Sequence, residues 1–261
     1  MTEPARRALA CLDLTSLTGD EDEAAIVDLC ARARTPVGPV AAVCVDGAWA
    51  ARAKAELAGS GVKVAAVANF PDGHANPRAT GREVAGLRAA GADEVDVVLP
   101  WRAWLEGDRD GALAVLQSAR AQAGRLTLKV ILETGRLGDG AQIRAAAEAA
   151  LGAGADFLKT STGKLEPAAT PAAALVMLEA IRDLASPAGF KAAGGIRTTA
   201  QAAEYLALAD SVMGPRWAGP ATFRLGASGL LSDLLATLGA GDGGPPAPPA
   251  PPTPPPAPGS Y

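Results

Sequence analysis

The stretch Gly152–Ser161, GAGADFLKTS, repeats in outline what Ala89–Val98, AAGADEVDVV, has already done: a small-residue helix end, a glycine turn, then the start of a short apolar strand. A helix that runs into a strand through one glycine is the joint of a β/α repeat. Outward from these two joints the same alternation continues from Arg7 to about Gly239. The strand candidates are ALACLDL (8–14), VAAVCV (40–45), VKVAAVANF (62–70), EVDVVL (94–99), LTLKVIL (126–132), DFLKTS (156–161), GFKAAGG (189–195) and TFRLGAS (222–228). They lie roughly 30 residues apart, the size of a unit in a parallel sheet. Eight units predict an α/β fold, a (β/α)8 TIM barrel in one domain over residues 1–239. The alternative, an open doubly wound sheet, lacks a G-x-G-x-x-G after its first strand.

Helical patterns fill the intervals, among them EDEAAIVDLCARA (21–33), GREVAGLRAAG (81–91), GALAVLQSARAQAG (111–124), GAQIRAAAEAALGAG (140–154) and PAAALVMLEAIRDLA (171–185). The last has Thr170 placed to cap it and Pro171 at its first position, where a missing N–H costs nothing. Residues 240–261, AGDGGPPAPPAPPTPPPAPGSY, break the composition with ten prolines between Pro245 and Pro258. Proline fixes φ and removes the donor, so this segment reads as a polyproline II spacer ending in Tyr261.

The bulk numbers narrow the partners. At 261 residues and 49% hydrophobic content the chain can bury a large core, and its net charge of −4 offers no basic footprint for nucleic acid or an anionic membrane. No apolar window of about 18 residues appears, so neither partner is expected and a cytoplasmic location is. Cys11, Cys30 and Cys44 are an odd number without zinc-ligand spacing and read as free thiols, with Cys30 facing a core at helical spacing.

Charged residues interrupt strands that should be apolar: Asp13, Asp96, Lys159 and Lys191, with Lys129 and Glu133 sharing one face of a further strand. Buried charge is costly unless paired or used, so several such residues in one barrel point to a site at the strands' C-terminal ends. Lys129 and Asp13, taken singly, read better as members of a structural ion-pair network. Lys159 precedes TSTGK and Lys191 precedes AAGGIR, hydroxyl- and glycine-rich loops of the kind that cradle phosphate. One ammonium beside another disfavours its charge, which would leave a nucleophilic amine able to form an imine. His74, the single histidine, sits in the loop FPDGHAN as a solvent-exposed turn residue. With it alone, a Ser-His triad and a His-rich metal site lack parts, so no metal or cofactor is expected. Asp96 is then the candidate for proton transfer.

EVDVVLP, LKVILETG, DFLKTSTGK, GFKAAGGIR and RLGASGLL, in this order and spacing and with LDLTSLT and AAVCV before them, closely resemble deoxyribose-phosphate aldolase, a class I aldolase family, over about residues 8–239. The resemblance implies a (β/α)8 barrel that reversibly cleaves 2-deoxy-D-ribose 5-phosphate to glyceraldehyde 3-phosphate and acetaldehyde, without a cofactor, as a homodimer acting on small molecules. It implies the imine at Lys159, a tuning ammonium at Lys191 and a proton relay at Asp96. Phosphate contacts carry over to Gly163, Lys164, Gly194, Gly195, Gly226 and Ser228, and pocket positions to Asp13, Thr15 and Cys44. Some members end in a tyrosine that swings into the site, a role that would fall to Tyr261. One departure is Gly229, where many members have serine; the lost hydroxyl predicts a looser phosphate grip and better tolerance of unphosphorylated aldehydes.

Overall fold

In the computed structural model, which describes residues 2–240, eight parallel strands close into a barrel: β1 Leu12–Thr15, β2 Ala42–Val45, β3 Lys63–Ala68, β4 Glu94–Val98, β5 Thr127–Ile131, β6 Phe157–Lys159, β7 Gly189–Ala193 and β8 Phe223–Ala227. Each pairs with its sequence neighbour, and β1 closes on β8 through Leu12↔Leu225 and Asp13↔Gly226. The predicted barrel is therefore the observed fold. A two-residue hairpin, Arg34–Thr35 with Gly38–Pro39, stands outside it.

The helices are α1 Thr2–Ala10, α2 Glu23–Arg32, α3 Ala50–Glu56, α4 Pro77–Ala89, α5 Trp101–Leu105, α6 Arg109–Ala123, α7 Thr134–Leu137, α8 Gly140–Gly152, α9 Pro171–Asp183, α10 Thr199–Met213 and α11 Leu230–Thr237. Their starts are written in side chains. Asp22, Asn76, Asp108, Asp139, Thr170 and Thr198 each accept from a backbone N–H of the first turn. Thr170 with Pro171 behaves as the sequence predicts. None of the described helices is long and apolar enough to cross a membrane.

One element differs from expectation. The run ALACLDL is not a single strand: Ala8 to Ala10 end α1, and β1 begins at Leu12. Ala5, Ala8 and Leu9 are buried at helical spacing, so α1 gains more by packing an apolar stripe against α10 and α11 than a longer strand would gain. Arg7 fixes it there, donating to both Asp210 carboxylate oxygens at 2.7 and 2.8 Å.

Apolar side chains between strands and helices form the main core, Cys11 and Cys30 within it. Cys44 lies instead in a small separate cluster with Ala65 and Val67, against which Leu17 and Phe70 pack. All three thiols are free and buried. That second cluster lines the inside of the barrel on β2 and β3. Much of the rest of the interior is charged.

Candidate active site

Strand register brings the charges together. Asp96 on β4 lies opposite Lys129 on β5, and Lys159 on β6 lies opposite Lys191 on β7, which in turn faces Arg224 on β8. Alternate residues of a strand point to one side, so this register aims all of them into one volume. Asp96 is the hub. Its Oδ2 accepts from Lys159 Nζ and from Lys191 Nζ, both at 2.8 Å, and its Oδ1 accepts from Lys129 Nζ at 2.8 Å. Cys44 Sγ lies 3.9 Å from the same Oδ2.

Below this hub the pairs continue. Lys191 Nζ also donates to Asp13 Oδ2 at 2.5 Å, and Asp13 Oδ1 accepts from Arg224 Nη1 at 2.7 Å. Arg224 Nη2 donates to Glu94 Oε1 at 2.7 Å, and Glu94 Oε2 lies 2.6 Å from Lys129 Nζ. Sequence reasoning names Asp13 and Lys129 as a structural network, and both belong to one. It misses Glu94 and Arg224. Glu94 shares a strand face with Asp96, two residues away, and Arg224 precedes Gly226 in the same way, so the period-two rule could have found them.

Burial sets the charge states. Burial alone would raise the Asp96 carboxyl, but Lys129, Lys159 and Lys191 outweigh it and hold the group well below the usual carboxylate range. Asp13 follows the same course, with Lys191 and Arg224 opposing burial. For Lys191 burial favours the neutral amine, yet Asp13 and Asp96 together prevail and hold it as a firm ammonium. Burial pushes the Cys44 thiol up, so it stays protonated.

Glu133 departs from expectation. It does not share a strand face with Lys129, because β5 ends at Ile131 and Glu133 turns the chain in the left-handed region at φ 57°. Its carboxylate accepts from Thr162 N–H at 3.2 Å and from the Thr162 hydroxyl at 2.5 Å, while Lys164 N–H donates to Thr162 Oγ1 at 3.1 Å. It ties down the TSTGK loop. Burial pushes its carboxyl above the ordinary value.

Above the hub opens a cavity of about 520 Å³ at the C-terminal ends of the strands. Lys159, 3% exposed, reaches its floor, whereas Lys129, Lys191, Asp13 and Asp96 are fully enclosed beneath. The walls include Thr15, Gly163, Lys164, Gly194, Gly195, Gly226 and Ser228, every one of the candidate phosphate positions, and also Arg197 and Gly229. Gly163, Gly194 and Gly195 have φ of 77°, 91° and 80°, a conformation that turns successive backbone N–H groups toward one space. At Gly226 an added Cβ would come within 3.0 Å of Lys191 Cε, so a bare backbone leaves the lysine its channel. Lys164 and Arg197 are exposed at the rim and make it attractive to an anion.

His74 is exposed in its turn, as read. Tyr261 and the rest of the proline-rich segment lie outside the described residues. The arrangement offers a lysine amine at the base of a cavity, fed by a buried carboxylate, beneath an anion cradle. That is the equipment for making and breaking bonds next to a carbonyl.

Comparison with known proteins agrees. The model of the DeoC/LacD family aldolases matches residues 7–232. A structure from Coccidioides immitis, described as a "putative deoxyribose-phosphate aldolase", is 30% identical over 89% of this chain and 86% of its own, with a TM-score of 0.80. One from Toxoplasma gondii under the same description is 29% identical over 91% and 93% of the two chains, with a TM-score of 0.81. The deoxyribose phosphate aldolase of Aeropyrum pernix, described as tetrameric, is similar in fold, with a TM-score of 0.73 at 24% identity over 89% and 92%. A barrel whose charged interior converges on one lysine at a cavity floor, matched along most of its length by that family's model, belongs to the DeoC/LacD family of aldolases.

Proposed function

We propose that this aldolase reversibly cleaves 2-deoxy-D-ribose 5-phosphate to D-glyceraldehyde 3-phosphate and acetaldehyde through an imine on Lys159. The observation that carries the reading is the shared oxygen: Lys159 and Lys191 both donate to Asp96 Oδ2, and only Lys159 opens on the cavity. Lys191, fixed as an ammonium, cannot be the nucleophile. Its charge disfavours a second ammonium beside it.

In cleavage, the Lys159 amine adds to the aldehyde carbon of the open-chain sugar, and loss of water gives a protonated imine. The bond between the second and third carbons then breaks, its electron pair passing into the imine to form an enamine, while the third-carbon hydroxyl gives up its proton. Asp96, within hydrogen-bond reach of the Lys159 nitrogen, moves protons for addition and dehydration. Glyceraldehyde 3-phosphate leaves with its phosphate in the cradle of Gly163, Lys164, Gly194, Gly195, Gly226 and Ser228. The enamine is protonated at carbon and hydrolysed to acetaldehyde. Thr15 lines the cavity wall beside the two-carbon unit, whereas Asp13 and Cys44, expected from the sequence to line the pocket, are enclosed below it against Lys191 and Asp96.

Borohydride reduction in the presence of acetaldehyde, followed by peptide mass mapping, tests this. A two-carbon adduct at Lys159, lost in Lys159→Leu, is expected; scattered adducts or none would overturn the imine. Protonation of the enamine by Tyr261 is part of the same proposal. Its check is removal of residues 240–261, which should lower turnover with the melting temperature unchanged. Assembly into a homodimer belongs to the proposal too, and light scattering reads it directly.

A further inference from the structure

The six charged groups beneath and beside Lys159 form a closed ring. Arg224 pairs with Glu94, Glu94 with Lys129, Lys129 with Asp96, Asp96 with Lys191, Lys191 with Asp13, and Asp13 with Arg224. Cation and anion alternate all the way round, so the ring is neutral when every member is ionised. Lys159 hangs from one atom of it, Asp96 Oδ2, and adds a positive charge with no carboxylate of its own. In a poorly solvated interior a net charge is costly, and it costs most on the cation with the fewest carboxylate partners. Among the three lysines only Lys159 has a single carboxylate partner and a path to the cavity.

We infer that Arg224 and Glu94, at the base of the barrel and away from the cavity, are positioning residues that keep the ring neutral and so leave Lys159 as the free amine. The inference rests on Lys159 being the imine-forming residue. Neither group lines the cavity above Lys159; Glu94 borders the opposite, N-terminal mouth instead. Arg224 is built in from all sides: Nε donates to Pro220 O at 2.5 Å, the guanidinium lies 5.6 Å from the Phe157 ring centroid, and its two terminal nitrogens bridge Asp13 and Glu94. That forked contact suits guanidinium and not ammonium geometry.

The charged and titratable groups that face Lys159 are Asp96 on β4, Lys129 on β5, Glu133 after it, Lys191 on β7, Asp13 on β1 and the Cys44 thiol on β2. Glu133 directs its carboxylate to Thr162 and forms no ion pair with Lys159 among the described residues, and Cys44 stays a thiol, so neither is a paired counter-charge to Lys159. The one direct ionic contact of Lys159 among the described residues is then with the ring.

The prediction has a sign that mere structural support would not have. Arg224→Met leaves three carboxylates facing three lysines, Lys159 becomes a required counter-ion, and the acidic limb of the kcat/KM–pH profile moves up by about one pH unit. Glu94→Gln adds to the surplus of positive charge and moves that limb down. The double variant restores neutrality of the ring and returns the limb toward its original position, while Arg224→Lys, which keeps the charge, leaves it in place despite a lower melting temperature. The measurement is the pH profile of the deoxyribose 5-phosphate cleavage, with borohydride trapping at each pH. Limb shifts of opposite sign in the two single variants support the inference. Shifts of the same sign, or none, with the Lys159 adduct intact, overturn it and leave the proposed reaction standing. Should Arg224→Met not fold, Glu94→Gln and Arg224→Lys decide the matter by the same reading. Absence of any Lys159 adduct in the unaltered protein overturns both.

Discussion

The inside of the barrel has two unlike sectors. On β2 and β3 it is lined by Cys44, Ala65 and Val67, without a charge. From β4 round to β1 it carries Glu94, Asp96, Lys129, Lys159, Lys191, Arg224 and Asp13, all buried. The difference lies in who neighbours whom. Val67 sits directly opposite Asp96 in the sheet, so the hub carboxylate has lysines on one flank and a hydrocarbon wall on the other. Charges confined to one side leave the opposite side free of counter-ions that would capture Lys159. A uniformly charged interior would pair every amine and supply no nucleophile.

The comparison breaks most completely at the lysine that belongs to neither sector. Lys159→Leu should cost roughly 10⁴-fold or more in kcat/KM, the scale for loss of a covalent nucleophile. Its melting temperature should hold or rise, because the ring closes without Lys159 and a buried amine gives way to hydrocarbon. A large activity loss together with a collapse of stability would contradict the surplus-charge picture.

Next comes the hub. Asp96→Asn leaves three lysines without their common partner, so about 3–5 kcal/mol of stability should be lost in chemical denaturation, with activity down by about 10²- to 10⁴-fold. The pH dependence has a definite sign. Asp96 and Asp13 are held below their unfolded values, so the stability they contribute is present above about pH 4 and is lost as the pH falls below that. Thermal melts of the unaltered protein should be flat from pH 8 to about pH 5 and fall steeply in acid; the fall should be shallower in Asp96→Asn.

Charging the quiet sector is a gentler test. Val67→Asp would place a fourth carboxylate opposite Asp96, give Lys159 a counter-ion and lower kcat/KM at neutral pH by roughly tenfold, with recovery at higher pH. A drop with no recovery would indicate packing damage and would not bear on charge. The smallest effect should come from Gly229→Ser at the cavity rim. Gly229 precedes α11 without a side-chain cap, and an added Cβ meets nothing within 4 Å. Stability should rise by a few tenths of a kcal/mol, and the preference for phosphorylated over free deoxyribose should increase. An unchanged preference would remove Gly229 from the phosphate site.

Much of this was legible in the chain. The eight strands are readable because parallel strands buried on both faces appear as apolar runs and glycine joints repeat between them. Lys159, Lys191 and Asp96 are readable because a charge inside such a run is conspicuous. Glu94 and Arg224 were harder, since each lies near the end of its strand, where charge is ordinary; only pairing across the barrel shows that they face each other. The start of β1 was misplaced because Ala-Leu-Ala fits helix and strand alike, and the packing of α1 decides it. Glu133 could not be placed by periodicity, because the left-handed turn it occupies interrupts the alternation.

The ring also has a history in time. Its closing contact joins Asp13 to Arg224, 211 positions apart, and Asp13 to Lys191 across 178. During synthesis the first carboxylate of the ring is made long before the guanidinium that completes it. A nascent chain, or a fragment ending before β8, therefore holds every group of the lysine hub and lacks the charge that balances it. Under the proposed mechanism, competence for catalysis arrives with the last strand, and a fragment short of the closed barrel should not trap an aldehyde at Lys159.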